Sequence, residues 1–351
     1  MSRTAGFVCP RCRYRVASCV EPFQVCPRDR YAFVTEAVFA HADGDPLLGM
    51  TIAERYVVLG KIGRGATGTV YRAFDLHGQH AVALKILRGD VVNNHRARER
   101  IACEARVLAS LTSPNVVRLL ATGEFVFACG DELSPPPTSY YLAMEMLEGE
   151  PLSKRLVRLG RLSVDEALRW ATHVLDALTD VHTLGIVHRD LTPNNVFLAR
   201  EGDAMEPGVG KVVDFGLALF VHEVLPGQDA FSAVGTPRYM SPEQVRGVVL
   251  DGRSDLYAVG LLLFVMLTGK APFMDDDAMR VMARHVGEVP LRVGDVVPGA
   301  GIPDWISDVV GRALAKDPRE RPQTAAEFRR LLSAAPRDSQ AEVGSTSNVY
   351  R

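Results

Sequence analysis

The sequence predicts an α+β fold in which a β-rich lobe carrying one helix precedes an α-rich lobe, with a small cysteine-bearing module in front. Three observations predict it. Between Arg55 and Met146, β-branched and aromatic residues gather into short runs bounded by turn formers. From Leu152 onward the apolar spacing switches to a helical period. Four of the six cysteines fall in the first 26 residues, a stretch otherwise rich in Arg and Pro.

Residues 1–30 form the cysteine module, and residues 31–54 read as a linker because of the turn-rich run His41-Ala-Asp-Gly-Asp-Pro46. The first lobe spans residues 55–147. Its predicted strands are Tyr56–Leu59, Thr69–Ala73, Ala81–Leu87, Val117–Leu120 and Tyr140–Met144. Its helix runs from His95 to Leu111, with Ile101, Ala105, Leu108 and Leu111 on one stripe. The second lobe spans residues 148–334. There Ser163-Val-Asp-Glu166 has the capping-box pattern and opens a helix to about Leu184. The polar residues 335–351 read as a disordered tail.

Composition excludes several functions. A net charge of −2 gives no global attraction to nucleic acid or anionic membranes. The apolar run Leu256–Leu267 is too short to span a bilayer and reads as a buried core helix. The N-terminus lacks the apolar core of a secretory signal, so a cytoplasmic protein is expected. In that setting, clustered cysteines favour a metal site over disulfides.

Lys61-Ile62-Gly63-Arg64-Gly65-Ala66-Thr67-Gly68-Thr-Val70 contains G-x-G-x-x-G, followed by β-branched and aromatic residues. The glycines therefore belong to a strand–turn–strand hairpin and not to the start of a helix. Such a hairpin lets backbone approach a polyphosphate closely. Ala81-Val-Ala83-Leu-Lys85 then ends an apolar strand on a lysine, whose ammonium needs phosphate or a carboxylate. Glu104, beside the apolar stripe of the next helix, is the candidate carboxylate.

Ile186-Val-His188-Arg189-Asp190-Leu-Thr192-Pro-Asn-Asn195 and Lys211-Val-Val-Asp214-Phe-Gly216 resemble the catalytic loop and metal-binding turn of protein kinases. Ser241-Pro-Glu243, Ser254-Asp255 and Arg321-Pro322 continue that resemblance in the family's order, over about residues 55–334. It implies the bilobal protein-kinase fold of bacterial-type, eukaryotic-like serine/threonine protein kinases, acting in signalling with ATP and Mg²⁺ on protein Ser/Thr hydroxyls. By this resemblance Asp190 accepts the hydroxyl proton, Asn195 and Asp214 hold Mg²⁺, and Lys85, paired with Glu104, orients the phosphates. Ile62, Gly63, Arg64, Gly65, Ala66, Thr67, Gly68, Val70 and Ala83 would enclose ATP. Met144 would guard the back of the pocket, and the backbones of Glu145 and Met146 would meet adenine. Thr192 departs from the pattern, since serine/threonine kinases usually carry lysine there. A pseudokinase-like nucleotide-binding scaffold is the alternative reading.

In this family an arginine like Arg189 commonly pairs with a phosphorylated activation-loop residue, which makes Ser232 the candidate autophosphorylation site and Thr236 a second one. Cys9-Pro-Arg-Cys12 and Cys26-Pro-Arg-Asp29 resemble the two knuckles of a zinc ribbon. Cys9, Cys12 and Cys26 are the expected Zn²⁺ ligands, with Asp29 or Cys19 as the fourth. Such a module would dock a protein partner or stabilise the fold. A nucleic-acid role for its arginines is not expected, because the rest of the chain offers no second basic footprint.

Overall fold

The computed structural model describes residues 6–18, 23–42, 44–65, 68–87, 105, 109, 111–126, 138–202, 204–214 and 237–334. At the front, β1 (Phe7–Val8), β2 (Arg15–Val16) and β3 (Val34–Thr35) form a small antiparallel sheet in the order β2-β1-β3. A short helix, α1 (Glu36–Ala40), follows, capped by the Thr35 hydroxyl.

The first lobe is one antiparallel sheet of six strands in the order β4-β5-β6-β7-β9-β8. These are β4 (Thr51–Ile52), β5 (Tyr56–Arg64), β6 (Gly68–Asp75), β7 (His80–Leu87), β8 (Leu119–Val126) and β9 (Thr138–Glu145). One face packs Ile52, Tyr56, Val58, Tyr71, Ala73, Val82, Leu84 and Ile86 into a core. The pleat then turns Ala83 and Lys85 to the other face. Strand β8 runs beyond the expected end at Leu120 because pairing with β9 carries it across Thr122 and Gly123. Of the expected helix His95–Leu111, only Ala105, Ala109 and Leu111 lie within the described residues.

The expected linker is folded. Ala32, Phe33, Val34, Leu48 and Ile52 are buried, β3 pairs with β1, and β4 pairs with β5. The turn-forming residues at 44–46 mark a local reversal, in which the Asp45 side chain accepts the Leu47 N–H. Turn chemistry reads the same in a linker and inside a domain; the apolar residues flanking it decide which one it is.

The second lobe is built on α3 (Val164–Thr183) and α5 (Gly252–Thr268). In α3, Ala167, Trp170, Ala171, Val174, Leu175, Leu178 and Val181 are buried at helical spacing. Ser163 caps it by accepting the Glu166 N–H, but the Glu166 carboxylate takes the Trp170 indole N–H and does not complete a capping box. Every residue of α5 from Ser254 to Thr268 is buried, so its all-round apolarity reflects a central core helix. Packed about this pair are α2 (Leu152–Leu159), α4 (Pro242–Arg246), α6 (Ala278–Gly287), α7 (Val293–Val296), α8 (Asp304–Ala313) and α9 (Ala325–Ser333). A sheet of β10 (Gly149–Pro151), β11 (Val196–Ala199) and β12 (Val209–Val212) lies beneath the cleft and feeds Asp214 into it. The expected tail 335–351 lies outside the described residues.

Candidate active site

Strands β5 and β6 make the glycine hairpin, closed by the Gly65 N–H donating to the Gly68 carbonyl at 2.8 Å. Ala66 and Thr67 lie outside the described residues. The register slips between Val58 and Gly60 and again between Lys61 and Gly63, leaving Leu59 and Ile62 as extra residues on β5. Bulges of this kind deepen the twist and curl the hairpin. Gly68 is needed where β6 meets β7, because a Cβ there would stand 2.3 Å from the Ile86 carbonyl oxygen.

Cross-strand register puts Val70 opposite Lys85, and Lys85 opposite Leu142. Ala83 is opposite Met144 in the next row. Val70, Ala83, Lys85 and Met144 therefore share the face turned away from the sheet's core. Lys85 is only 2% exposed, and its Nζ lies 2.8 Å from Asp214 Oδ1. Burial tends to raise the Asp214 carboxyl, but the Lys85 ammonium outweighs it and holds the group below its usual range. Asp214 itself has φ +61°, a left-handed conformation that short polar side chains tolerate best. Glu104 lies outside the described residues.

The loop bearing Asp190 is fixed from beneath by Asp255, a buried carboxylate in the first turn of α5. Asp255 accepts the backbone N–H groups of His188 and Arg189 and the His182 Nε2–H. Buried His188 bridges onward. Its Nε2 is 2.9 Å from the Val213 carbonyl and its Nδ1 accepts the Asp190 N–H, which fixes the Nε2–H tautomer. The Asn195 amide nitrogen donates to the Asp190 carbonyl at 2.7 Å and to its carboxylate at 3.3 Å. With Nδ2 so committed, Oδ1 is the atom Asn195 has left for a cation. The Val213 N–H donates to the Asn195 carbonyl, so the segment next to Asp214 is stitched to the loop. Lys85, Asp190, Asn195 and Asp214 thus belong to one connected constellation.

Sequence reasoning left several supporting residues unassigned. Gln244 completes the capping box of α4 and donates its Nε2–H to the Arg189 carbonyl at 2.6 Å. Glu243 and Arg321 form a buried bidentate pair at 2.7 and 2.9 Å. Arg321 gives its remaining N–H groups to the carbonyls of Ala315, Arg253 and Lys316. Glu145, at the end of β9, accepts from Lys211 Nζ at 2.7 Å and so ties the first lobe to β12. Its own N–H donates to the Arg118 carbonyl at 3.0 Å. The signal for Asp255 was present: an acid opening an otherwise apolar buried helix needs a partner. Ser232 and Thr236 lie outside the described residues.

A family model described as "Protein kinase domain" matches residues 56–331. The chain belongs to the protein kinase family. Among curated relatives of this kinase-family chain, serine/threonine-protein kinase pkn3 of Myxococcus xanthus is 36% identical over 299 residues. That match covers 84% of the chain and 52% of the relative. Serine/threonine-protein kinase PrkC of Bacillus subtilis is 32% identical, the match covering 82% of the chain and 42% of PrkC. The chain thus spans about half or less of the length of these relatives. The crystal structure of the Mycobacterium tuberculosis PknI kinase domain superposes with a TM-score of 0.60 at 25% identity. The superposition covers 81% of this chain and 97% of that one. Among the described residues, no helix of this kinase-family chain is long and apolar enough to cross a membrane.

A second constellation lies in front of the kinase lobes. Cys9, Cys12, Cys26 and Asp29 bring one ligand atom each to within 4.8 Å of one another. Cys9 and Cys26 are buried, and Cys12 is exposed with its Sγ 3.6 Å from that of Cys26. Both turns share one geometry. In each, the first cysteine's carbonyl accepts the N–H four residues on, and its N–H donates to the carbonyl five residues on. Arg13 and Arg30, at equivalent positions, have φ of 61° and 62°. Four ligands around Zn²⁺ stand roughly 3.3–3.8 Å apart, given bonds of 2.0–2.3 Å. The four residues fit that ion with small adjustment. Cys19 lies outside the described residues.

Proposed function

We propose that this protein is a serine/threonine protein kinase, transferring the γ-phosphoryl group of ATP to a protein Ser or Thr hydroxyl. The observation that carries this is the Lys85–Asp214 pair at 2.8 Å beside the Asn195–Asp190 hydrogen bond, in a chain of the kinase family. Mg²⁺ supplies neutralisation of phosphate charge when bound, and the oxygens of Asp214 and Asn195 would hold it. Lys85 orients the phosphates, exchanging its carboxylate partner for phosphate oxygens. Asp190, oriented by Asn195, receives the hydroxyl proton. The face carrying Val70, Ala83 and Met144 covers the adenine, with Ile62 and the glycines Gly63, Gly65 and Gly68 above the phosphates. Ser232, with Thr236 as second candidate, is the autophosphorylation site, and the ATP-supplied cytoplasm is the compartment this reading calls for.

Transfer of label from [γ-³²P]ATP, followed by phosphoamino-acid analysis, tests the assignment. Phosphoserine or phosphothreonine is expected from the wild type, and a loss of roughly 10²–10⁴-fold from Asp190→Asn. Equal incorporation by both proteins would overturn the role of Asp190, and phosphotyrosine would overturn the acceptor class. Nucleotide binding without any transfer would favour the scaffold reading, to which Thr192 in place of lysine points.

The front module is proposed to hold one Zn²⁺ through Cys9, Cys12, Cys26 and Asp29, supported by the twin turn geometry. Elemental analysis of protein purified without chelator is expected to give about one zinc per chain. Cys12→Ser should lower that content, and an unchanged ratio would exclude Cys12 as a ligand.

A further inference from the structure

The residues ahead of Tyr56 clasp the glycine hairpin from both faces. On β6, Tyr71 and Phe74 are three positions apart, so their side chains point to opposite faces of the sheet. Phe23 stacks on Phe74 with ring centroids 4.1 Å apart and planes at 27°. On the other face the Tyr71 hydroxyl donates to Asp45 at 2.8 Å. Strand β5 is held as well. The Gly49 N–H donates to the Val58 carbonyl at 2.8 Å, and the Val58 N–H donates to the Met50 carbonyl at 2.9 Å.

Each of these contacts leads back to the cysteine cluster. Phe23 sits three residues before Cys26, at φ +65°. Ala32, three residues after Asp29, donates its N–H to the Gly49 carbonyl at 2.7 Å. Gly49 has φ +75°, and a Cβ on it would stand 2.6 Å from the Ala32 carbonyl oxygen and 3.0 Å from Cγ of Pro10, inside the first knuckle. Leu48 packs with Val8, the neighbour of Cys9, and with Val34, anchoring the turn that presents Asp45. The segment's hydrophobic core is two small clusters, Val8, Val34 and Leu48 in one and Cys9, Cys26 and Phe33 in the other, which is little for a segment required to hold a fixed geometry.

We propose that Phe23 and Asp45 are positioning residues for the nucleotide lid, and that metal in the Cys9–Cys12–Cys26–Asp29 cluster keeps them in place. The inference rests on the Zn²⁺ reading of that cluster. With metal bound, both knuckles are fixed and the base of the β5–β6 hairpin is held on two faces. Its glycine tip is then preset at one height above Lys85, and less order has to be gained when nucleotide binds. Without metal the knuckles loosen, the clasp opens, and the lid pays this ordering itself. The effect belongs to nucleotide affinity and KM for ATP, since Asp190 and Asn195 are carried by the other lobe.

The test uses the full chain, zinc-loaded or stripped with chelator, with zinc content measured by mass spectrometry. Binding of a fluorescent ATP analogue with Mg²⁺ is the readout, alongside KM and kcat for ATP. Stripping should raise Kd and KM about five-fold or more with kcat within about two-fold. Zinc-loaded Phe23→Ala and Tyr71→Phe should show the raised Kd and lose their response to stripping; Tyr71→Phe removes a single oxygen and keeps the core filled. A chain that binds zinc yet has the same Kd loaded, stripped and substituted would overturn the positioning role. A chain that takes up no zinc would overturn the metal reading, while a raised Kd in Phe23→Ala and Tyr71→Phe would still support the clasp.

Discussion

Asp255 lies 2.8 Å from the backbone nitrogen of His188, although 67 residues separate them in sequence. With its second oxygen it also holds the Arg189 N–H at 2.9 Å. The conformation of the loop bearing Asp190 is therefore imposed from the core helix of the second lobe. That includes φ +66° at Arg189, which is unfavourable for a long side chain.

Replacing Asp255 by Asn puts an N–H₂ where one of these donors needs an oxygen. Two backbone N–H groups and His182 then compete for one acceptor. We expect kcat to fall by about 10²-fold, as misplacement of a catalytic group by an ångström can do. Nucleotide affinity should stay within about two-fold, because Lys85 and the hairpin are untouched. A matched loss of affinity and turnover would show that Asp255 supports the whole domain and not the loop alone.

Lys85, Asp190, Asn195 and Asp214 stood out in the sequence by residue type and spacing, and the structure brings them into one connected constellation. The buried helix was legible too, since Leu256–Leu267 has no polar face. What stayed hidden depends on contacts distant in sequence. Nothing near Asp45 signals a bond to Tyr71, and nothing near Glu145 signals Lys211. The 31–54 segment was misread because its central turn outweighed the apolar pairs Phe33-Val34 and Leu47-Leu48 on either side.

Arg321 is fully buried, with every N–H group satisfied by Glu243 or by a carbonyl. Arg321→Met would leave the Glu243 carboxylate buried without a cation, beside the Ser254 hydroxyl and its own backbone N–H. The expected loss of stability is about 3–5 kcal/mol by urea unfolding, the range for breaking a buried pair from one side. The double variant Glu243→Met with Arg321→Met should lose less than the single one. If the two are equal, the pair is not the source of the loss.

His285 is fully buried between Tyr257, whose hydroxyl is 2.9 Å from Nδ1, and the ring of Phe273. Burial, with the Lys316 ammonium nearby, pushes its pKa down to about 4. The unfolded chain, with a histidine near 6.5, therefore binds more protons than the folded one between those values. This contribution to stability is complete above about pH 6.5 and is lost as pH falls toward 4, with a slope of at most ~1.4 kcal/mol per pH unit. His285→Gln should flatten the fall in unfolding free energy over that window. An unchanged slope would assign acid sensitivity to other groups.

Thr192 is 4% exposed and lies two residues beyond Asp190, where serine/threonine kinases usually place a lysine against the γ-phosphate. A hydroxyl can donate one neutral hydrogen bond there, whereas an ammonium supplies a full charge to an oxygen that becomes more negative as the phosphoryl group transfers. Thr192→Lys must also bring its stem through a buried position, and the Asn195 N–H remains bonded to the main-chain carbonyl of residue 192, which the substitution leaves in place. We expect kcat to rise by about ten-fold, below the 10²–10³ that a preorganised donor can contribute, because the loop has not been shaped around the longer side chain. KM for ATP should change little, since the added charge acts on the transferring group. The measurement is steady-state phosphorylation of a generic basic protein at saturating Mg²⁺-ATP. A fall in kcat with an intact unfolding transition would mean that the loop has been built around threonine and meets the phosphate charge by another route.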